Sequence, residues 1–169
     1  IVVLYNRLVR SRNMVEEGWS GIDVQLKRRA DLIPNLVETV KGYAAHEKTV
    51  LEEVTNARAA ATSAQSVEGT QQAADMMTSA LRHLFAVAEA YPDLKADANF
   101  RQLQEQLAET EDLISKARRY YNGAVRRLNT MVEQFPSNLV AQQFGFIRAE
   151  YFEIEDPASR ELPQVSFSG

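Results

Sequence analysis

One apolar stripe, with a period of about 3.5 residues, runs without a change of phase through the first third of the chain and restricts the fold more than any other feature. Such a period places one face of each helix against neighbouring helices and predicts left-handed bundle packing. The stripe consists of Ile1, Tyr5, Leu8, Arg12, Val15, Trp19, Ile22, Leu26, Arg29, Ile33, Leu36, Val40, Tyr43, Glu47, Val50, Val54 and Ala57.

Pro34 interrupts this stripe. Proline lacks a backbone donor and clashes with the preceding turn, so that it costs about 3 kcal/mol in a helix interior. Asp31 can cap a new helix that holds Pro34 in its first turn. We therefore predict a break between two helices near residues 30–33. A single kinked helix is the alternative, because the stripe keeps its phase across the proline.

Apolar stripes later in the chain predict three further helices. The third is predicted to end at Tyr91, before a proline, and the fourth to run from an Asp97 cap to Phe135. A short fifth helix is predicted through Tyr151. The predicted fold is all-α, a long-helix up-and-down four-helix bundle with a short fifth helix. The bundle is one domain over residues 1–154, and residues 155–169 form an extended or disordered tail.

Composition argues against several functions. A net charge of -4 disfavours nucleic acid as a partner. The chain has no cysteine, and its two histidines lack the neighbours of known metal motifs. Val50 stands four residues after His46, where the helix of a zinc protease needs a second histidine. Tyr43 and Ala80 stand three residues before the two histidines, where a di-iron bundle needs glutamate. Acidic pairs such as Glu109–Glu111 fit exposed helix faces. We predict no catalytic residue, no metal site, no cofactor and no enzymatic activity.

The first residues suggest contact with a membrane. Residues 1–5 are apolar or aromatic, and arginines follow at positions 7, 10 and 12, with no acid before Glu16. This order is typical of the end of a membrane anchor whose following segment lies in the cytoplasm. A frayed helix start explains the same residues equally well.

Polar residues crowd the stretch around the proline, and Arg29 falls on the apolar stripe itself. Two hypotheses remain open: a salt-bridge network between helices, or a recognition patch made of Arg28, Arg29, Asn35, Lys41, Tyr43 and His46. Asp23 and Lys27 are expected to pair along the helix, as are Lys27 and Asp31. The candidate polar network in this stretch consists of Asp23, Lys27, Arg28, Arg29, Asp31, Asn35, Lys41, Tyr43 and His46.

An internal echo adds four asparagines to these candidates. The pattern Tyr5-Asn6-x-x-Val9-Arg10-x-x-Asn13-x-x-x-Glu17 returns as Tyr121-Asn122-x-x-Val125-Arg126-x-x-Asn129-x-x-x-Glu133. Asparagine is a poor helix former, so its recurrence beside the stripe needs an explanation. Asn6, Asn13, Asn122 and Asn129 could bond between helices and set their register, or they could face a partner.

The chain resembles the signature of the LemA family in the run Trp19-Ser20-x-Ile22-Asp23-Val24-Gln25-Leu26-Lys27-Arg28-Arg29-x-Asp31-Leu32-Ile33-Pro34-Asn35-Leu36-Val37. The likeness returns in Glu89-x-Tyr91-Pro92-x-Leu94-Lys95, Tyr121-Asn122, Phe135-Pro136-Ser137-Asn138 and Phe144-Gly145-Phe146, and it reaches Val165-x-Phe167. Gly18 and Leu128 depart from the pattern, which favours alanine and tyrosine there. The resemblance implies a bacterial α-helical bundle behind one N-terminal transmembrane helix, with the bundle in the cytoplasm.

These observations together predict a membrane-anchored, non-enzymatic helical scaffold or adaptor of the bacterial inner membrane. It is expected to cross the membrane once through a preceding helix, to form a homo-oligomer and to contact an unidentified protein partner. The alternative is a sensor that binds a ligand or peptide near Arg28, Arg29 and Lys41. The resemblance supplies no reaction.

Overall fold

The computed structural model describes residues 1–153, and the regular structure of this range is entirely helical. Its helices are α1 Val2–Ala44, α2 Lys48–Ser63, α3 Val67–Ala88, α4 Pro92–Ala96, α5 Ala98–Glu133 and α6 Ser137–Phe144. Residues 146–153, here called the strap, continue the chain in a non-helical conformation. The predicted tail, residues 155–169, lies outside the described residues.

The four long helices alternate in direction, which confirms the predicted all-α up-and-down bundle. α1 and α5 form the most extensive helix pair, and α2 packs mainly on α3. The start of α5 lies beside the end of α1, because the Tyr43 hydroxyl donates to Asp97 Oδ2 over 2.6 Å. Asp97 also caps α5, as predicted, since its carboxylate accepts from the Phe100 N–H. The single-turn helix α4 was not predicted.

The predicted break near residues 30–33 is wrong, because α1 continues through Pro34 as one helix of 43 residues. Pro34 itself is exposed, whereas Ile33 and Leu36 on either side of it are 1% and 0% exposed. Burial of such side chains contributes about 1.5–3 kcal/mol each, which offsets the cost of the proline. The uninterrupted stripe was therefore the better guide.

The first chain reversal lies instead at residues 45–47. The stripe keeps its phase there but passes from α1 to α2, so one pattern covers two antiparallel helices. The turn brings Leu51 and Val54 of α2 into the same core as Val40 of α1. The reversal thus buries apolar surface that one straight helix would expose.

The predicted fifth helix is shorter than expected. α6 ends at Gly145, whose φ of 74° is the left-handed conformation that glycine adopts without strain. Ile147 and Tyr151 therefore belong to the strap and not to a helix. The strap turns back along α5 and buries Phe146 and Phe152.

Two apolar cores result, one in each half of the molecule. In the first core, the later part of α1 and the earlier part of α5 pack with α2, α3 and α4. In the second, the earlier part of α1 and the later part of α5 pack with the early part of α3, α6 and the strap. We call these the four-helix half and the strapped half.

Candidate functional site

Arg29 occupies a polar site at the meeting of α1, α3 and α5. Its side chain is 2% exposed. Nη1 donates to Glu111 Oε1 over 2.7 Å and to Thr78 Oγ1 over 3.1 Å, and Nη2 donates to the Ala74 carbonyl over 3.0 Å. Burial lowers the pKa of Arg29, an effect that the charges of Glu111 and Asp75 oppose. The three hydrogen bonds of this guanidinium join α1 to α3 and α5.

Arg28, the neighbouring arginine, lies in a wetter environment. Its guanidinium faces Glu109 at 3.5 Å, and both side chains are about half exposed. Glu109 and Glu111 thus both reach towards α1 from α5, and both side chains remain partly exposed to solvent, as the sequence predicted. Glu111 and Thr78 were not among the predicted candidates. Their only sequence signal is a helical spacing that many surface residues share.

The other candidates of this stretch are divided among several surroundings. Asp23 and Lys27 form the expected i,i+4 ion pair at 2.8 Å, which raises the pKa of Lys27 through the hydrogen bond and charge of Asp23. Asp31 is exposed. Asn35 Oδ1 accepts from Asn99 Nδ2 of α5 over 3.2 Å.

Lys41 and His46 lie away from these contacts. Lys41 lines a shallow groove beside α2, and His46 is exposed in the turn that follows α1. Tyr43 is bonded to Asp97, which raises the pKa of the tyrosine. Of the six residues of the predicted recognition patch, Arg29 is buried, and Asn35 and Tyr43 bond to residues at the start of α5.

Asn122 and Asn129 bind the strap, and do so through its backbone. Asn122 accepts from the Phe152 N–H and donates to the Phe152 carbonyl, both over 2.9 Å. Asn129 makes the same pair of bonds with Ala149, over 2.8 and 3.1 Å. Seven helical residues span about 10.5 Å and three extended residues about 10 Å, so the two amides match the strap. This pairing replaces the helix-to-helix bonds expected from the sequence.

The matching asparagines of α1 have another surrounding. Asn6 and Asn13 are both exposed, whereas Asn129 is 3% exposed. From α1, the strap receives a cation–π contact and an edge-to-face aromatic contact: the Arg12 guanidinium lies 4.9 Å from the Phe146 ring centroid, and the Trp19 ring centroid lies 6.0 Å from that of Phe152. The asparagines of the two copies of this sequence pattern therefore make different contacts in the structure.

A cavity of about 330 Å³ adjoins Arg29 between α1, the end of α2 and the start of α3. Its wall includes the polar side chains of Asp23, Lys27 and Arg29, and small residues such as Ala61 and Ala73. Within residues 1–153, no group of three or more histidine, aspartate or glutamate side chains could hold a metal ion. None of the helices in that range combines the length and apolar character needed to cross a membrane.

Exposed apolar side chains concentrate where α1 begins. Tyr5 packs against Phe144 and Phe146, which brings the start of α1 beside α6 and the strap. The large exposed apolar residues of the start of α1, the end of α5, α6 and the strap are here called the apolar end, and they are Ile1, Val2, Val3, Phe135, Leu139, Phe144 and Ile147. Sequence reasoning found only the first three, because the others are brought there by the fold.

The chain is similar in sequence to several known proteins. The LemA family model matches residues 18–167. Magnetosome protein MamQ 2 of Paramagnetospirillum magneticum is 26% identical, over 94% of this chain and 67% of that protein. Protein LemA of Metamycoplasma hominis is 28% identical, over 89% of this chain and 69% of its own length. Magnetosome protein MamQ of Magnetospirillum gryphiswaldense is 23% identical, over 94% and 67%.

Proposed function

The chain belongs to the LemA family, and from this premise we propose that it is a membrane-anchored, non-enzymatic helical scaffold or adaptor of the bacterial inner membrane. It crosses the membrane once, through a segment before α1, and its bundle faces the cytoplasm. The molecule associates with further copies of itself. Two of the similar proteins are named as magnetosome proteins, which supports a role at a membrane-bounded structure.

The apolar end is the observation that carries this proposal. Ile1 is 78% exposed, Phe135 75% and Ile147 77%, and these residues come from three separate segments. Soluble proteins rarely expose an apolar patch of this kind without a partner for it. A bilayer interface offers such a partner, since apolar and aromatic side chains insert at the level of the headgroups.

The length of the bundle supports a scaffold role. α1 has 43 residues, which at 1.5 Å per residue extend about 65 Å. Its companion α5 has 36 residues and runs beside it. With the apolar end at the membrane, the four-helix half would stand well away from the bilayer. Its outer faces would then be available to other copies and to a protein partner.

Cysteine labelling tests the orientation, because the sequence contains no cysteine. Ile147→Cys would place a thiol in the apolar end. The matched control is Val24→Cys, because Val24 is 59% exposed and lies on α1 outside the apolar end. We expect a membrane-impermeant maleimide to label the control in inverted membrane vesicles of the full-length protein, and to label Ile147→Cys only after detergent is added. Equal labelling before detergent would contradict the orientation.

Cell fractionation and light scattering test the remaining parts. We expect the full-length protein to stay with the membrane fraction after carbonate extraction, and its release would contradict a membrane anchor. Light scattering of residues 1–169 should show a mass that rises with concentration above that of one 19.0 kDa chain. A single monomer mass at all concentrations would contradict self-association.

The cavity beside Arg29 favours a second candidate, a sensor of a small ligand. It has both apolar wall residues and polar groups, as ligand sites do. Ala61→Leu would fill part of this space from α2. If the cavity binds a ligand, a library of small carboxylates should raise the melting temperature of the natural chain and not that of the variant.

A further inference from the structure

A second groove lies between α1 and α5 in the strapped half, and no strap residue lines it. Its volume is about 660 Å³. α1 contributes Arg7, Arg10 and Ser11, and α5 contributes Arg126 and Arg127. We call it the arginine groove. Both helices are needed to form it, so it is a property of the fold and not of one basic segment.

The charge of the groove is not neutralised within the part of the chain that the structure describes. No acidic residue of that part lines it, and its four arginines form no ion pair there. The closest polar contact is from Arg127 Nη1 to the sulfur of Met14, at 3.7 Å. Elsewhere, Arg28, Arg29 and Arg148 each face a glutamate.

Ser11 supplies an independent observation. Its side chain is 3% exposed and lines the groove, yet its hydroxyl has no hydrogen-bond partner among the described residues. A buried hydroxyl without a partner is costly and therefore uncommon. Rotation of the Ser11 side chain towards the groove would let this hydroxyl donate to an anion held by the guanidinium groups.

We infer that the arginine groove binds the phosphate group of an anionic phospholipid headgroup. Guanidinium groups match the geometry of phosphate oxygens, and the Ser11 hydroxyl can donate to the same group. The source of the phosphate follows from position. Arg7 lies four residues after Val3 of the apolar end, and α5 brings Arg126 and Arg127 to the same half. The inference rests on the proposed function only in placing this half beside a bilayer.

The internal echo gains a partial explanation from the groove. Arg10 and Arg126 hold equivalent positions in its two copies. Since α1 and α5 run antiparallel, the fold brings both arginines to one groove. The recurring arginine thus has a common role, although the recurring asparagines do not.

Vesicle sedimentation of residues 1–169 tests the inference, with Arg10→Gln/Arg126→Gln against Arg58→Gln/Arg101→Gln. The control pair removes the same charge from exposed sites that lie outside the groove. The chain should bind vesicles of phosphatidylglycerol and phosphatidylcholine more tightly than vesicles of phosphatidylcholine alone. At about 1 kcal/mol per arginine near an anionic surface, the groove variant should bind about thirtyfold more weakly. The control should change less than about threefold by screened long-range attraction.

Ser11→Ala separates a built site from a diffuse basic surface. It should weaken vesicle binding by about fivefold, the worth of one hydrogen bond, without lowering the melting temperature. Unchanged binding in this variant, or equal losses in the two arginine pairs, would overturn the inference. So would tight binding of inorganic phosphate with no preference for anionic vesicles, since the ligand would then be a free anion. These outcomes leave the membrane anchor untouched, because cell fractionation tests that separately.

Discussion

The two halves of the molecule cover the same pair of helices in different ways. In the four-helix half, α2 and α3 cover α1 and α5, and packing between helices excludes water. In the strapped half, the cover is the short helix α6 and an extended strap. A helix satisfies its own backbone, but an extended segment must find partners for its N–H and C=O groups elsewhere.

This difference explains where each half places its polar side chains. At its border with the strapped half, the four-helix half uses one buried arginine, which bonds to side chains and to a carbonyl at a helix junction. The strapped half uses Asn122 and Asn129, because an amide carries both a donor and an acceptor and can pair with one residue's backbone. The buried arginine joins helices to one another, whereas the two asparagines join the non-helical strap to α5.

The largest effect is expected at Arg29. Arg29→Ala leaves a cavity and removes the buried partner of Thr78 and Glu111, so it should lower the free energy of unfolding by about 3 kcal/mol, with Glu111 relieved by its partial exposure. Arg28→Ala breaks an exposed pair and should cost at most about 1 kcal/mol. Urea unfolding would measure both. Equal losses would mean that burial does not distinguish the two arginines.

The next effect concerns the strap. Asn122→Ala removes two hydrogen bonds and leaves the backbone of Phe152 without those partners, so it should cost about 2–3 kcal/mol. Hydrogen exchange at the Phe152 amide should speed up more than at amides of the four-helix half. Asn6→Ala is the control, because Asn6 holds the equivalent place in the echo but is exposed. A similar loss in the control would contradict the proposed role of the strap contacts.

A smaller effect separates two glycines of α1. A Cβ at Gly18 would lie 3.0 Å from the Tyr121 Cα, whereas a Cβ at Gly21 would meet nothing within 4 Å. Gly21→Ala should stabilise the chain by about 0.5–1 kcal/mol through helix propensity. Gly18→Ala forces α1 and α5 apart and should be about 1–2 kcal/mol less stable than Gly21→Ala. Equal stabilities in thermal unfolding would show that the helices have room to separate.

The smallest effect is the pH dependence of Asp97. The Tyr43 hydroxyl, and then the Phe100 N–H, lower the pKa of Asp97 below its ordinary value of 3.8. Because the folded pKa is the lower one, this carboxylate stabilises the fold above pH 3.8, and the contribution is lost as the pH falls below that value. Tyr43→Phe should bring the pKa of Asp97, followed by NMR titration, back towards 3.8. An unchanged pKa would assign the shift to the backbone alone.

The fold class was predictable to a large extent, because helical period is a local property. The LemA resemblance and the Asp97 cap were also found from the sequence and are confirmed. The position of the first reversal was not predictable. The cost of a proline inside a helix predicts a break at Pro34, whereas the burial of Ile33 and Leu36 stabilises a continuous helix. How much these two side chains are buried depends on helices that lie far away in sequence.

The candidate site was predictable only in part. Charge on the apolar stripe drew attention to Arg29, but its partners in α3 and α5 carry no distinctive pattern. The asparagines stood out by their spacing, yet that spacing does not tell which pair would meet the strap. Likewise, nothing in the sequence shows that Tyr5 packs against Phe144 and Phe146.

By itself, the sequence determined the all-α class, the apolar faces of the long helices and the family, because repeating side-chain patterns and long motifs are written along the chain. Only the tertiary structure decided which charges are buried, which asparagines are used and where the apolar end and arginine groove lie. These depend on distances between residues such as Arg29 and Glu111, which are 82 positions apart. Such distances arise only when apolar burial brings α1 and α5 together.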